Sequence, residues 1–341
     1  MDTSTLKIIF GPACAPSLQR SLITTINALA NRQQIRPVAC NFITFKDGES
    51  LVQIKENVRN ADVFVIQPTP MPDRNFTVLK MLLQAASLAS AGSVTAVVPN
   101  MGYLRQDRKD RPRVPVTAKM IIEEIEHAMV AASRKHIMFV HPHSSIVPGF
   151  ADIPTDVLYP TVTLARRIEA HHMHLHVAMK LAEGVAGCPD AGAAKLAQVY
   201  MRILHMVRIA FGFKTRNGDD QPEILDIAGD VKDRPVVVGD DMVDTGGTTC
   251  GFNSKLSERG ALCIYDVATH PVFADGCIDR LVDSYEHSKL ERVFVTNSIN
   301  HEQKELPDFI EVVDIGPLIA EAIWRNFTGG SISEIDGMFA S

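Results

Sequence analysis

The sequence predicts an α/β protein made of two similar doubly wound domains, each with a mostly parallel central sheet flanked by helices. Three observations point there. Short apolar runs alternate with helical-period segments along the chain. The alternation starts afresh after Tyr159-Pro160, which places the join there and gives domains 1–159 and 160–341. Finally, 341 residues with 46% hydrophobic content are ample for two buried cores.

The first element is the apolar strand Leu6–Phe10, closed by Gly11-Pro12, and residues 17–29 then carry apolar side chains at helical spacing. Residues 37–45 read as a second strand, followed by the turn Lys46-Asp47-Gly48-Glu49 with its two acids. Residues 61–67, 93–99 and 136–140 are further strands, separated by helical patterns over 76–89 and 117–132. Strand and helix in strict alternation imply parallel pairing. Just past the 93–99 strand stands Arg105-Gln106-Asp107-Arg108-Lys109-Asp110-Arg111-Pro112-Arg113, with five basic residues. Mixed charge runs are usually solvated loops, whereas arginines beyond a strand end suit a polyphosphate. The residues alone leave both readings open. His141-Pro142-His143 ends the next strand, where a histidine is a metal or phosphate contact or a structural residue.

In the second half, His171 to His176 would set three imidazoles on one face if extended, with an exposed histidine-rich connection as the alternative. Residues 185–188 read as a strand entering Pro189-Asp190-Ala191-Gly192-Ala193, in which Asp190 is a candidate helix cap. Residues 206–213 form a strand, and the segment from Lys214 through Arg216 to Asp219 and Asp220 leaves it as a polar loop able to bring cations to a phosphate. Three valines at 236–238 then run into Asp240, Asp241 and Asp244 and the turn Thr245-Gly246-Gly247-Thr248. Glycine permits backbone N–H groups to close on an anion, and a following helix adds its positive end. The acids repel a bare phosphate, so the ligand should also bring hydroxyl donors or a cation. A sugar phosphate meets that demand. Strands over 262–268, 292–296 and 310–315 and a helix over 317–325, with proline in its first turn, complete the second sheet.

Charge and composition exclude several classes. Lys and Arg total 34 against 40 Asp and Glu, a formal charge of −6, which offers no general nucleic-acid footprint. No apolar run reaches membrane-span length and no basic leader precedes an apolar core, so no membrane partner and a cytoplasmic location are expected. The six cysteines lack C-x-x-C or zinc-ligand spacing, which fits reduced, buried thiols. Neither G-x-x-x-x-G-K-[ST] nor G-x-G-x-x-G occurs, so a bound nucleotide would need another cradle.

The stretch from Val236 to Thr248 resembles the phosphoribosyl-binding loop of type I phosphoribosyltransferases and of ribose-phosphate pyrophosphokinases. The run Arg105 to Arg111, followed by Pro115-x-x-Ala118-Lys119, is similar to the signature loop of the pyrophosphokinases and is absent from simple phosphoribosyltransferases. Gly149-Phe150-x-Asp152-Ile153-Pro154-x-Asp156-x-Leu158-Tyr159 and Thr269-His270-Pro271-Val272-Phe273 also match, so the resemblance covers nearly the whole chain. It implies two type I phosphoribosyltransferase-like domains, ATP served by the first and ribose 5-phosphate by the second. Asp240, Asp241, Asp244, Thr245, Gly246, Gly247 and Thr248 would hold ribose 5-phosphate. Arg105, Gln106 and Asp107 would meet ATP together with Phe45, Asp47 and Glu49 of a neighbouring subunit. Asp190, Ala191, Gly192 and Ala193 would form a pyrophosphate loop, His143 and Asp190 would hold Mg²⁺, and Lys214 and Arg216 would be catalytic. Ser331 and Ser333 would belong to a regulatory site between subunits, or else to a disordered tail. A homo-oligomer built from dimers, up to a hexamer, is implied as well.

The departures are specific. His141 stands where the family has aspartate, Ile146 and Pro148 replace glutamines, and Ala193 replaces a glycine, at a cost of about 1 kcal/mol or more if that position needs positive φ. Two rival readings follow: a phosphoribosyltransferase, which would share only the turn, and a non-catalytic regulatory paralogue. These four substitutions favour the paralogue, while Lys214, Arg216 and the intact Asp240-Asp241 pair oppose it.

Overall fold

The structure, a computed structural model, describes every residue except 1–2, 32–33, 176–179, 216–222 and 336–341. The chain divides into two compact units, Met1–Tyr159 with Ser298–Glu302 and Asp314–Ser341, and Pro160–Asn297 with Gln303–Val313.

In the first unit, β1 (Leu6–Phe10) leads into α1 (Pro16–Leu29), and a hairpin of β2 (Cys40–Thr44) and β3 (Ser50–Ile54) follows. Then come β4 (Asp62–Ile66), α2 (Arg74–Leu88), β5 (Ser93–Val98), α3 (Thr117–Ala128), β6 (Arg134–Val140) and β7 (Thr155–Leu158). The sheet runs β1-β4-β5-β6-β7, with every pair parallel. Period-two alternation explains why helices cover both faces. Val63 and Val65 pack with Leu79, Leu82 and Ile122 of α2 and α3, whereas Phe64 and Ile66 pack with Leu18 and Leu22 of α1.

The expected strand over 37–45 is shorter and stands outside this sheet. β2 pairs antiparallel with β3 in a two-stranded ribbon, and only Pro37 bridges to β1 at Ile8. Phe42, Ile43, Phe45 and Leu51 are exposed there, so the apolar content that suggests a core strand belongs to a surface ribbon. β7 was not expected, since Asp156 interrupts its short apolar pattern.

The second unit opens with α4 (Thr161–His174) and continues through β8 (Val185–Cys188), α5 (Ala194–Ile203), β9 (Arg208–Thr215), β10 (Glu223–Ala228) and β11 (Pro235–Val243). It ends with α6 (Gly247–Glu258), β12 (Cys263–Pro271), α7 (Cys277–His287), β13 (Leu290–Thr296) and β14 (Ile310–Val313). Strand order is β10-β9-β8-β11-β12-β13-β14, parallel except for the β9–β10 pair. Val236 and Val238 face α6 and α7, while Val237 faces α4 and α5.

Two expectations change here. β9 runs on to Thr215 and pairs Lys214 with Ile224, so Lys214 belongs to an antiparallel hairpin and not to the start of a loop. Arg216, Asp219 and Asp220 lie outside the described residues. His171, His172 and His174 lie on α4, whose 3.6-residue period removes the alternating face that an extended chain would give. His172 is buried, with its Nδ1 2.8 Å from the Tyr265 hydroxyl, and His171 meets Glu291 at 3.6 Å. His176 lies outside the described residues.

The last helix, α8 (Gly316–Thr328), belongs to the first unit, where Ile315, Ile319 and Ile323 share a core with α1. A Cβ on Gly316 would fall 2.0 Å from Ser21 Oγ and 2.9 Å from the Leu18 carbonyl oxygen, so only glycine permits this approach. After α8 the Gly329–Ser333 run folds back. Arg325 donates to the Ser331 carbonyl at 2.7 Å, the Ser331 and Ser333 hydroxyls are 2.9 Å apart, and Ile332 and Ile335 pack against the core. A disordered tail is thereby excluded for residues 331–335.

Candidate functional site

β11 lies between β8 and β12, buried through its valines, and delivers its carboxyl end where open α/β sheets place ligands. The strand continues through Asp240 and Asp241 to Val243, so these acids are strand residues and do not belong to the turn. The chain then reverses at Gly246, whose φ of 76° is left-handed, and α6 begins at Gly247 with no side-chain cap. A Cβ on Gly246 would in addition meet Cys277 Sγ at 3.3 Å. The first N–H groups of a helix have no intrahelical acceptor, so the head of α6 presents donors and the positive end of the helix dipole. From α7, Arg280 Nη1 donates to the Thr245 carbonyl at 2.8 Å and holds the turn from outside.

Carboxylates crowd beside this cradle. The Asp241 N–H donates to Asp240 Oδ1 at 2.8 Å. Burial first, then the neighbouring Asp241 and, more weakly, Asp190, hold the Asp240 carboxyl well above the usual carboxylate range. Asp190 follows β8, and its Oδ1 accepts from Gly192 N–H at 2.9 Å and Ala193 N–H at 3.2 Å, which is the expected cap. Ala193 has φ −78°, an ordinary helical value, so alanine carries no backbone strain there. The Cys188 thiol donates to the Asp190 carbonyl at 2.8 Å and is pushed up to about 11, chiefly by burial and then by Asp190. The ends of β8 and β11 thus set Asp190 and Asp241 against Asp240, a repulsion relieved by hydroxyl donors or a cation.

In the first unit, the basic loop joins β5 to α3. Arg105 and Gln106 are exposed and Asp107 is partly buried. Gln106 serves the start of α3, with its carbonyl accepting from Ala118 N–H at 3.1 Å and its Oε1 from the Thr117 hydroxyl at 2.6 Å. His141 is buried with φ 41°, its ring edge-on to Tyr159 at 5.2 Å, and His143 beyond it is exposed. Phe45, Asp47 and Glu49 gather at the tip of the β2–β3 hairpin. Asp47 Oδ1 accepts from Glu49 N–H at 3.0 Å, and the Glu49 carbonyl accepts from Phe45 N–H at 2.9 Å. Among the described residues no three His, Cys, Asp or Glu side chains converge as a metal cage.

Sequence reasoning missed Arg280. It stands 35 residues beyond the Thr245 it holds, on an ordinary amphipathic helix, and only the tertiary fold reveals it. It also missed a buried pair, Asn253 on α6 and Asp266 on β12.

The fold defines a class, that of doubly wound α/β proteins with type I phosphoribosyltransferase-like units. Residues 17–143 match the N-terminal domain of ribose phosphate pyrophosphokinase, and residues 202–336 match the phosphoribosyl synthetase-associated domain. The ribose-phosphate pyrophosphokinase of Chlorobaculum tepidum is 37% identical over 85% of this chain and 84% of its own length. That of Vibrio parahaemolyticus is 34% identical over 89% of this chain and 93% of its own. The crystal structure of phosphoribosylpyrophosphate synthetase from Mycobacterium smegmatis superposes with a TM-score of 0.81 at 29% identity, covering 96% of this chain and all (100%) of that one. The chain belongs to the ribose-phosphate pyrophosphokinase family, a family of transferases.

Proposed function

We propose that the protein transfers the β,γ-diphosphoryl group of Mg-ATP to the anomeric hydroxyl of ribose 5-phosphate, giving 5-phosphoribosyl 1-pyrophosphate and AMP. The observation that carries this reading is the left-handed turn at Gly246, which heads α6 beside Asp240, Asp241 and Asp244. In it the N–H groups of Gly246, Gly247 and Thr248 and the Thr245 and Thr248 hydroxyls receive the 5-phosphate, while the carboxylates of Asp240, Asp241 and Asp244 accept from the ribose hydroxyls. Asp190 through Ala193 receive the pyrophosphate moiety, and Lys214 and Arg216 neutralise charge that develops on the transferred group. Arg105, Gln106 and Asp107 contact ATP, joined by Phe45, Asp47 and Glu49 from a second subunit of a dimer-based homo-oligomer, up to a hexamer. Ser331 and Ser333 form part of a regulatory anion site between subunits.

Mg²⁺ suits this donor set. It keeps several waters and takes one or two carboxylates plus substrate phosphates, so it requires no protein cage, and the repulsion around Asp240 favours a cation. In the second unit Asp190 would hold it, in the first His143 would meet the Mg²⁺ of Mg-ATP, and when bound it would neutralise the polyphosphate. The chain supplies positioning and fixed charge, which phosphoryl-group transfer needs more than a nucleophile. No helix among the described residues is long and apolar enough to cross a membrane, and the proposed setting is the cytoplasm. The test is AMP formation that depends on ribose 5-phosphate. Intact ATP binding without turnover would instead support the regulatory paralogue, which His141 at the aspartate position favours.

A further inference from the structure

Asp266 lies at the centre of β12, only 1% exposed, on the face that Ile264 and Ala268 share with α6. Its Oδ2 accepts from Asn253 Nδ2 at 2.7 Å, and Asn253 is fully buried on α6. The second oxygen of each group, Asp266 Oδ1 and Asn253 Oδ1, is buried with no hydrogen-bond partner. A carboxylate and an amide carbonyl are both acceptors, so as an ion Asp266 leaves two buried oxygens unsatisfied, each at a cost of about 1–3 kcal/mol. One proton on Asp266 Oδ1 would satisfy both by donating to Asn253 Oδ1, alongside the bond from Asn253 Nδ2 to Asp266 Oδ2.

We propose that Asp266 is held protonated in a two-bond acid–amide ring with Asn253, and that this ring positions the turn at the head of α6. The positioning role rests on the reading of that turn as the ribose 5-phosphate site. Asn253 is the seventh residue of α6, about 9 Å along the axis from Gly247, so the ring fixes the helix to the sheet one to two turns behind the cradle. Burial pushes the Asp266 carboxyl up to about 7, with the Asn253 bond acting in the opposite sense. Its surroundings add little charge. Register neighbours are Val238 on β11 and Val293 on β13, and from α6 the Cys250 thiol lies near, pushed up to about 12 by burial and then by Asp266. From α7, Arg280 and Cys277 bear on Cys250, whose thiol donates to the Arg280 carbonyl at 3.4 Å.

The folded-state value is raised, so the unfolded chain releases this proton first. Stability from the ring is full below the ordinary carboxylate range and falls as pH rises to about 7, then levels. Asp266→Asn replaces the acid–amide ring by an amide–amide ring that has no proton to lose, and Asp266→Ala breaks it. Urea unfolding from about pH 5 to about pH 8 should show the wild type losing stability relative to Asp266→Asn up to about pH 7 and no further. Asp266→Ala should be the least stable of the three at about pH 5. The KM for ribose 5-phosphate should rise about threefold or more from about pH 6.5 to about pH 8.5 in the wild type beyond any rise in Asp266→Asn, with kcat less affected, because a group that titrates at about 7 passes from mostly protonated to mostly ionised over that interval. Asp240 and the substrate phosphate titrate in both proteins, so only their difference counts. Parallel stability profiles, or Asp266→Asn as damaged as Asp266→Ala at about pH 5, would overturn the ring. Divergent stability with coincident KM profiles would overturn the positioning role. Absence of any ribose 5-phosphate saturation in the wild type would remove the site assignment and with it the positioning role, while the unfolding comparison still decides the ring.

Discussion

At the scale of single residues, Gly246 concentrates the demands of the turn. Left-handed backbone costs a side-chain-bearing residue about 1–2 kcal/mol, and an added Cβ would press on Cys277. Gly246→Ala should therefore lower the unfolding free energy by at least about 1 kcal/mol and raise the KM for ribose 5-phosphate, with the affinity for ATP unchanged; denaturation and initial-rate kinetics check both. Asp240 supplies a second prediction. Its carboxyl is raised by burial and by Asp241, so the stability it contributes is present in acid and is lost as pH rises through its folded value. Hydroxyl donors or Mg²⁺ stabilise the ionised form, and binding should release a proton. Titration calorimetry in buffers of different ionisation enthalpy should register that release, and identical apparent enthalpies would contradict it. Lys214→Ala and Arg216→Ala should each lower kcat about 100-fold or more while leaving ribose 5-phosphate affinity nearly intact, as measured by rate and by equilibrium binding.

Among the elements, α6 joins packing to the site. Phe252 is fully buried between the sheet glycines, where a Cβ on Gly187 would fall 3.0 Å and one on Gly212 3.1 Å from its ring. Phe252→Ala should cost about 3–5 kcal/mol, seen as a lowered unfolding midpoint, and should loosen ribose 5-phosphate binding because the helix head moves with its anchor. Such elements were legible because their signals are local. The valines of β11, the Thr245 to Thr248 turn and the Asp190 cap each depend on residues adjacent in sequence. The β2–β3 ribbon was misread because apolar content cannot separate a buried strand from an exposed one, and β10 was missed behind a polar stretch. The sequence leaves His172 either on a three-imidazole face, were the chain extended, or in an exposed connection, because histidines carry little helix signal of their own; its partner, Tyr265, lies 93 residues away. Arg280 and the Asn253–Asp266 pair are likewise products of long-range packing, and one sequence holds no local trace of them.

For the molecule as a whole, acidic charge and phosphate chemistry have to be reconciled locally. A net charge of −6 repels polyanions at a distance, and under the proposed function the basic Arg105 to Arg113 loop and a cation carried by the nucleotide would offset it locally. Chelation of divalent cations should abolish AMP formation, and Mg²⁺ should restore it. Ribose 5-phosphate at one hundred times its dissociation constant should raise the stability of the unit that holds the Gly246 turn by about 2.7 kcal/mol, readable by thermal scanning.

The position of α8 has a further consequence, for synthesis. Strands and helices of the first unit leave the ribosome early, yet the core that α1 shares with the sheet is completed only when Ile315, Ile319 and Ile323 arrive. Translation at about 5–20 residues per second leaves that core without its last helix for roughly ten seconds or longer while the intervening segment is made. The half that emerges first is completed last, and a nascent chain arrested before codon 316 should be held by chaperones or degraded, whereas one released at full length should mature.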